Sequence, residues 1–290
     1  MTKKECIYNY NGFNYHYLIA KSKNAKCNPI VALSGAFQNI NTWNRYLDYY
    51  TQFSTVILID VPGSGKSDIL PNYYDLEFIA ISVYDLFQHL NIKKAELLAA
   101  SYGTPIGIIF ANKYPNLLSH LALIGTMKRF PNHMIKKVEN TFVRIYNNEM
   151  DKFANEVLNI IMNIEEKDKT RKYRAVRRVL FKILTELNND DRSKYIENTK
   201  RLIYHKEIDY KYIFESPVLV FTGENDYFTK PEYCKEIALL FKNSVYTTIK
   251  NSDHLCNIEQ YNYTNNLITS FFTNKLTGNI EGCNDIEYNS

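Results

Sequence analysis

The sequence predicts an α/β protein with a mostly parallel central sheet and helices on both faces. Three observations predict it. The runs "PIVALSG" (29–35), "TVILID" (55–60), "AELLAA" (95–100), "LSHLALIG" (118–125) and "SPVLVFTG" (216–223) are apolar without alternation, as strands buried on both faces are. Segments of helical period lie between the first four, the rhythm of βαβ units. From residue 128 to 212 the strand signal almost stops, and highly charged sequence with helical periodicity takes over.

Each element follows from local chemistry. "CIYNYNGFNYHYLIA" alternates around Asn11-Gly12, the signature of a β-hairpin. "INTWNRYLDYY" (40–50) reads as a helix. Asp75 caps a helix to about residue 90, with Ile79, Val83, Leu86 and Leu90 on one face. "GTPIGIIFANKY" (103–114) is helical, with Pro105 in the first turn, where proline is tolerated. After residue 223, "PEYCKEIALLF" reads as a helix, "SVYTTIK" (244–250) as a strand and "NIEQYNYTNNLITSFFTN" as one closing helix. Residues 1–125 and 216–274 are therefore expected to form the sheet core. Residues 126–215 form a helical insertion, too long for a loop and read as a lid, and residues 275–290 a polar C-terminal tail expected to fray.

Composition narrows the function classes. Of 290 residues 45% are hydrophobic, enough for a sizeable core. The net charge of +4 is too mild for a nucleic-acid binder. The positive charge gathers in residues 126–215, which carry 20 Lys and Arg against 14 Asp and Glu. Five cysteines, Cys6, Cys27, Cys234, Cys256 and Cys283, show no C-x-x-C spacing. A reducing compartment and no structural metal are expected. No apolar run approaches the roughly 20 residues that cross a bilayer, and the N-terminus lacks the apolar core of a signal peptide. The expectation is a cytoplasmic protein without stable membrane insertion and without a bound cofactor.

Three residues carry the candidate chemistry. In "LLAASYGTP", Ser101 falls between a buried strand and a helix, on a turn that exposes its hydroxyl beside free helix N–H groups. Ala99 and Gly103 keep the cramped turn small. Alone, such a serine is as well explained as a helix cap. Asp226, in "VLVFTGENDYF", lies on the loop leaving a late strand, with Glu224 as competitor. His254, in "TTIKNSDHLCNIE", follows the final strand. Strand C-termini gather at one sheet edge, so the three are expected to meet there, in the chain order Ser, Asp, His of a nucleophile–acid–base triad. His133, at the entrance of the insertion, is the backup base, and His120 looks structural. In such a triad Ser101 is the nucleophile, His254 takes its proton and Asp226 holds the imidazole. The backbone N–H groups of Ala36 and Tyr102 are the candidate oxyanion donors.

"VPGSGKSD" (61–68) imitates a phosphate-binding loop. The spacing fails: G-x-x-x-x-G-K-[ST] needs glycine at residue 60, which is Asp60, and Pro62 removes a donor. The stretch fits a tight polar turn after a buried strand.

With these blocks in order, the sequence resembles the α/β-hydrolase superfamily. "SGAFQNINTW" resembles its oxyanion-loop block, "DVPGSGKSD" its Asp-x-Pro-Gly-x-Gly-x-Ser turn, and "NSDHLCNIE" its Gly-His-x-x-x-x-Glu block, with Glu259 five after the histidine. The likeness spans residues 29–272 apart from the insertion. Within the superfamily the chain looks like the acyltransferases that make the hydroxyacyl-hydroxyacyl lipid half of rhamnolipids. The likeness lies in Ala36 after a Gly35 not preceded by His, in Ala99 before the nucleophile, and in "GENDYFTKPE". Ser34, Thr104 and Asp253 depart from the common pattern at positions usually His, Gly and Gly.

The resemblance implies an α/β-hydrolase fold with a helical lid inserted before the late strands, and a serine enzyme acting on an acyl ester or thioester. Ser101 would take an acyl chain and pass it to water or a hydroxyl. Acyl carrier protein or coenzyme A are candidate carriers, and the basic insertion a candidate contact for them. Two alternatives stay open. One is a catalytically silent small-ligand receptor on the same fold; the other is a different chemistry, such as C–C or amide bond hydrolysis.

Overall fold

The computed structural model describes residues 2–206, 208 and 214–289. The apolar runs form the strands of one nine-stranded sheet. They are β1 (Thr2–Tyr10), β2 (Phe13–Lys21), β3 (Ile30–Leu33), β4 (Val56–Asp60), β5 (Ala95–Ala100), β6 (Leu118–Ile124), β7 (Val218–Gly223), β8 (Ser244–Ile249) and β9 (Glu287–Asn289). Their order is β1-β2-β4-β3-β5-β6-β7-β8-β9. From β4 to β8 neighbours run parallel, and antiparallel strands close both edges. The β1–β2 hairpin turns at Asn11 and Gly12, both at positive φ, as a tight hairpin requires.

The inner strands feed side chains to two cores. In β5, Ala95, Leu97 and Ala99 face a cluster shared with α2 (Leu76–His89), α3 (Gly103–Lys113) and α8 (Pro231–Ala238). Leu98 and Ala100 face the opposite cluster, with α1 (Ile40–Tyr50) and α10 (Tyr261–Phe272). Burial on both faces explains why these strands are continuously apolar. Asp75 caps α2 as its sequence predicts, its carboxylate accepting from Phe78 N–H at 2.9 Å.

Four helices form a third layer: α4 (Asn132–Tyr146), α5 (Met150–Ile161), α6 (Tyr173–Thr185) and α7 (Asn189–Ile203). They hold an apolar core of their own, centred on Phe153, Ala154 and Leu158. The expected helical stretch continues onto 207 and 209–213, which lie outside the described residues. The layer touches the loops at the C-terminal ends of the parallel strands. Lys194 Nζ donates to Gly65 O at 2.7 Å after β4, and Asn163 Nδ2 to Asn225 O at 3.0 Å after β7.

Two expectations are corrected. The closing helix is two pieces, α9 (Cys256–Glu259) and α10, divided at Gln260 with φ −121°. Glu259 turns inward there to accept from Asp253 N–H at 2.7 Å, and Gln260 Nε2 reaches Lys250 O at 3.1 Å. Residues 283–289 do not fray. β9 pairs with β8, Cys283 is buried, and Asn284 Nδ2 donates to Thr248 Oγ1 at 2.8 Å. A buried strand left at a sheet edge exposes its ladder, and this segment covers it. Among the described residues no helix is long and apolar enough to cross a membrane, and no group of three or more His, Cys, Asp or Glu could hold a metal.

Candidate active site

Ser101 stands at the turn from β5 into α3 with φ +47°, a left-handed conformation unusual for a residue with a side chain. The turn is fixed from both sides: Ser101 N–H donates to Ile124 O at 2.8 Å, and its carbonyl accepts from Thr104 N–H and Thr104 Oγ1, both at 2.8 Å. Thr104, where the superfamily commonly has glycine, thus closes the first helical turn. Gly103 is small by necessity, since a Cβ there would lie 2.7 Å from Leu33 O.

The structure brings the three predicted side chains together. His254 Nε2 lies 3.0 Å from Ser101 Oγ, and His254 Nδ1 lies 3.0 Å from Asp226 Oδ2. Asp226 sits in a nest of donors. Oδ1 accepts from Phe228 N–H at 2.9 Å and Thr229 N–H at 2.8 Å; Oδ2 accepts from Thr229 Oγ1 at 2.6 Å and from Thr222 Oγ1. Burial of Asp226 opposes its charge, but the imidazole beside it and the two threonine hydroxyls hold its carboxyl below the usual range. For His254 burial favours the neutral ring; the Asp226 charge and hydrogen bond, with the Asp253 charge, prevail and raise its pKa.

The competing residues have other work. Glu224 accepts from Asn251 N–H at 2.5 Å and Asn284 Nδ2 at 3.1 Å, bracing the loop after β8. Asp253 accepts from His254 N–H at 2.8 Å and from Asn163 N–H, so it holds the backbone of the histidine rather than its ring. His120 bonds Glu96 at 2.7 Å and Asn274 at 3.0 Å, a buried structural role. His133 lies exposed on α4.

Ala36 and Tyr102 line a cavity of about 90 Å³ together with Ser101 and His254. Neither backbone N–H donates to another described residue. Ser34 takes the indole N–H of Trp43 at 3.0 Å, tying the loop before Ala36 to α1. Apolar side chains of the helical layer, among them Val138, Val157 and Ile160, line the cavity.

The turn at 60–67 holds no phosphate cradle. Lys66 N–H donates to the turn's own Asp60 Oδ2 at 2.9 Å, and Ile40 N–H, from the start of α1, donates to Oδ1 at 2.8 Å. Gly65 has φ +48°, and a Cβ there would lie 2.2 Å from the Asp60 side chain.

Three polar residues escaped the sequence reading. Thr222 and Thr229 brace Asp226; a threonine three residues after the acid was the available signal. Arg201, on α7, is buried with its guanidinium bonded to Leu70 O at 2.6 Å, Pro71 O at 2.9 Å, Tyr74 O at 2.5 Å and Tyr102 OH at 3.0 Å. In the sequence it is one charge among many on a basic segment.

A sequence profile described as alpha/beta hydrolase fold matches residues 28–261. RutD of Acinetobacter baylyi, named as a candidate carbamate hydrolase, is 29% identical over 126 residues, 42% of this chain and 47% of that protein. The chain thus matches less than half the length of that relative. An alpha/beta hydrolase enzyme from a Medee basin deep-sea metagenome library superimposes with a TM-score of 0.82 at 18% identity, over 95% of this chain and all of the other. The enol-lactonase of Burkholderia xenovorans superimposes with a TM-score of 0.78 at 20% identity, over 92% of this chain and all of the other. At these identities the two structures speak for the fold. With 28–261 matched and the sheet order in hand, the chain belongs to the α/β hydrolase fold family.

Proposed function

We propose that this protein is a serine hydrolase or acyltransferase that cleaves an acyl ester or thioester through an acyl-enzyme on Ser101. The observation that carries the proposal is the unbroken relay from Ser101 Oγ through His254 to Asp226, at 3.0 Å per step. Ser101 Oγ attacks the acyl carbon while His254 Nε2 takes its proton. The charge that develops on the imidazole is held by Asp226, whose own bonds fix it in place. The substrate carbonyl oxygen becomes an oxyanion, and the N–H groups of Ala36 and Tyr102 receive it. As the tetrahedral intermediate collapses, the bond to the leaving group breaks and His254 returns the proton to that group. Water or a hydroxyl then attacks the acyl-serine, His254 again acting as base, and Ser101 is released.

The acyl acceptor and any carrier, including acyl carrier protein or coenzyme A, belong to the same proposal. The apolar lining from the helical layer favours an acyl chain over a polar substrate. A carbamate and an enol-lactone, the substrates in the names of two relatives, each present an acyl carbon to a nucleophile. The test is intact mass after exposure to a fluorophosphonate. One adduct on the wild type and none on Ser101→Ala supports the reading. A folded wild type that takes no adduct and turns over no ester sinks it, and leaves the silent receptor.

A further inference from the structure

Beside the cavity at Ser101 lies a larger one, a groove of about 370 Å³ between α1, α6 and α9. The two share Ala36, Phe37, Gln38, Ile161 and Leu255 as common wall. Phe37 in that shared wall is held at φ +60° and stacks on Tyr195 at 4.9 Å, and a chain leaving Ser101 would enter the groove past it. The groove is apolar along α6, and its outer apolar residues, Val179 and Ile183, are 57% and 45% exposed. Nothing described covers them.

The same groove is lined by two cations, Arg45 and Lys172. Neither has a carboxylate within ion-pairing distance among the described residues. Arg45 is not a loose surface side chain. Its guanidinium carbon sits 4.8 Å from the Tyr261 ring centre and 5.2 Å from that of Tyr46, and Nη2 donates to Asn257 O at 3.0 Å. Lys172, exposed, stands at the start of α6 with its backbone in the left-handed region at φ +62°, so the positive helix N-terminus lies at the same end of the groove. Two cations at an apolar groove, unpaired among the described residues and one of them, Arg45, held in place, match a chain that ends in an anion: the chain displaces water from the groove, and the end group supplies a carboxylate.

We infer that this groove is the chain-binding subsite for an amphiphilic substrate, an ester or thioester whose aliphatic chain ends in an anionic group held by Arg45 and Lys172. The inference rests on the acyl-enzyme reading and names its substrate class.

The test compares p-nitrophenyl esters of nonanoic acid and of nonanedioic acid, alike in length and different in the terminal carboxylate. The wild type is expected to prefer the anionic ester in kcat/KM, and added salt to reduce the preference. Arg45→Gln with Lys172→Gln is expected to lower the ratio of kcat/KM for the anionic ester to that for the nonanoate ester by roughly threefold to tenfold. No preference in the wild type, or one that survives in the double variant, overturns the inference. Turnover of p-nitrophenyl acetate, too short to reach the groove, reports separately on the Ser101 reading. Calorimetry with the monomethyl ester of nonanedioic acid on Ser101→Ala tests the groove without catalysis. Binding that weakens with the two Gln substitutions supports the subsite even if no ester is turned over. If the two Gln substitutions instead abolish pelleting with phosphatidylglycerol vesicles and leave ester selectivity unchanged, the face is a membrane surface and the subsite is overturned.

Discussion

Asp226 meets His254 through one oxygen only. Oδ2 lies 3.0 Å from Nδ1, while Oδ1 is occupied by the N–H groups of Phe228 and Thr229. Thr229 Oγ1 spans the contact, 2.6 Å from Oδ2 and 2.9 Å from Nδ1. The carboxylate is thus fixed by groups other than the histidine, and stays in place when the imidazole changes charge.

This arrangement sets a pH profile. In the proposed mechanism His254 must be neutral to accept the Ser101 proton, and its pKa is raised above the ordinary 6.5 because Asp226, in charge and hydrogen bond, outweighs burial. The acid limb of kcat/KM is expected above pH 6.5. In Asp226→Asn the opposing charge is gone and burial dominates, so the limb moves to lower pH while kcat falls by about 10³–10⁴. A pH–rate series on both proteins checks the two movements together. A limb that stays put in the variant would remove Asp226 from its assigned place.

Arg201 ties the helical layer to the sheet. Its guanidinium serves the carbonyls of Leu70, Pro71 and Tyr74 and the hydroxyl of Tyr102, the residue after Ser101. In Arg201→Met these buried acceptors lose their donors, and stability is expected to fall by about 2–4 kcal/mol in urea unfolding. Arg201→Lys keeps the charge but not the planar fork, and recovers only part of the loss. Because Tyr102 is anchored by the same side chain, kcat is expected to fall in both variants while fluorophosphonate labelling at saturation persists. Wild-type stability in Arg201→Met would show that water replaces the guanidinium.

What was legible in the sequence follows a physical division. β3 to β7 were legible because strands buried on both faces read as apolar runs, and Ser101, Asp226 and His254 because strand ends converge at one edge. The docking of 283–289 was not, because the partner of a polar edge segment lies far along the chain: Asn289 faces Ser244 across the β8–β9 ladder. Arg201 was hidden for the same reason, its carbonyl partners lying about 130 residues away. The break at Gln260 was invisible to periodicity because Glu259 leaves the helical face for a backbone contact at Asp253.

That contact yields the last prediction. Glu259 is buried, with Oε2 accepting from Asp253 N–H and Oε1 without a partner. Burial first, then the charges of Asp253 and Asp226, push its pKa to about 8 from an ordinary 4.5, against the Asp253 N–H bond that lowers it. Between these values the folded protein keeps a proton that the unfolded chain has released. Stability therefore falls as pH rises through that window, by about 1.4 kcal/mol for each pH unit crossed. Glu259→Gln keeps the accepting oxygen and cannot ionise. Its melting temperature is expected to match the wild type near pH 4.5 and to gain on it progressively toward pH 8. Asp253, pushed to about 6 from 3.8 by burial and by the charge of Asp226, contributes a lower window of the same sign. Asp253→Asn should gain on the wild type mainly below pH 6, which separates the two carboxyls in one set of melting curves. Parallel curves for wild type and Glu259→Gln across pH 5–9 would mean that Glu259 is ionised in the folded protein throughout.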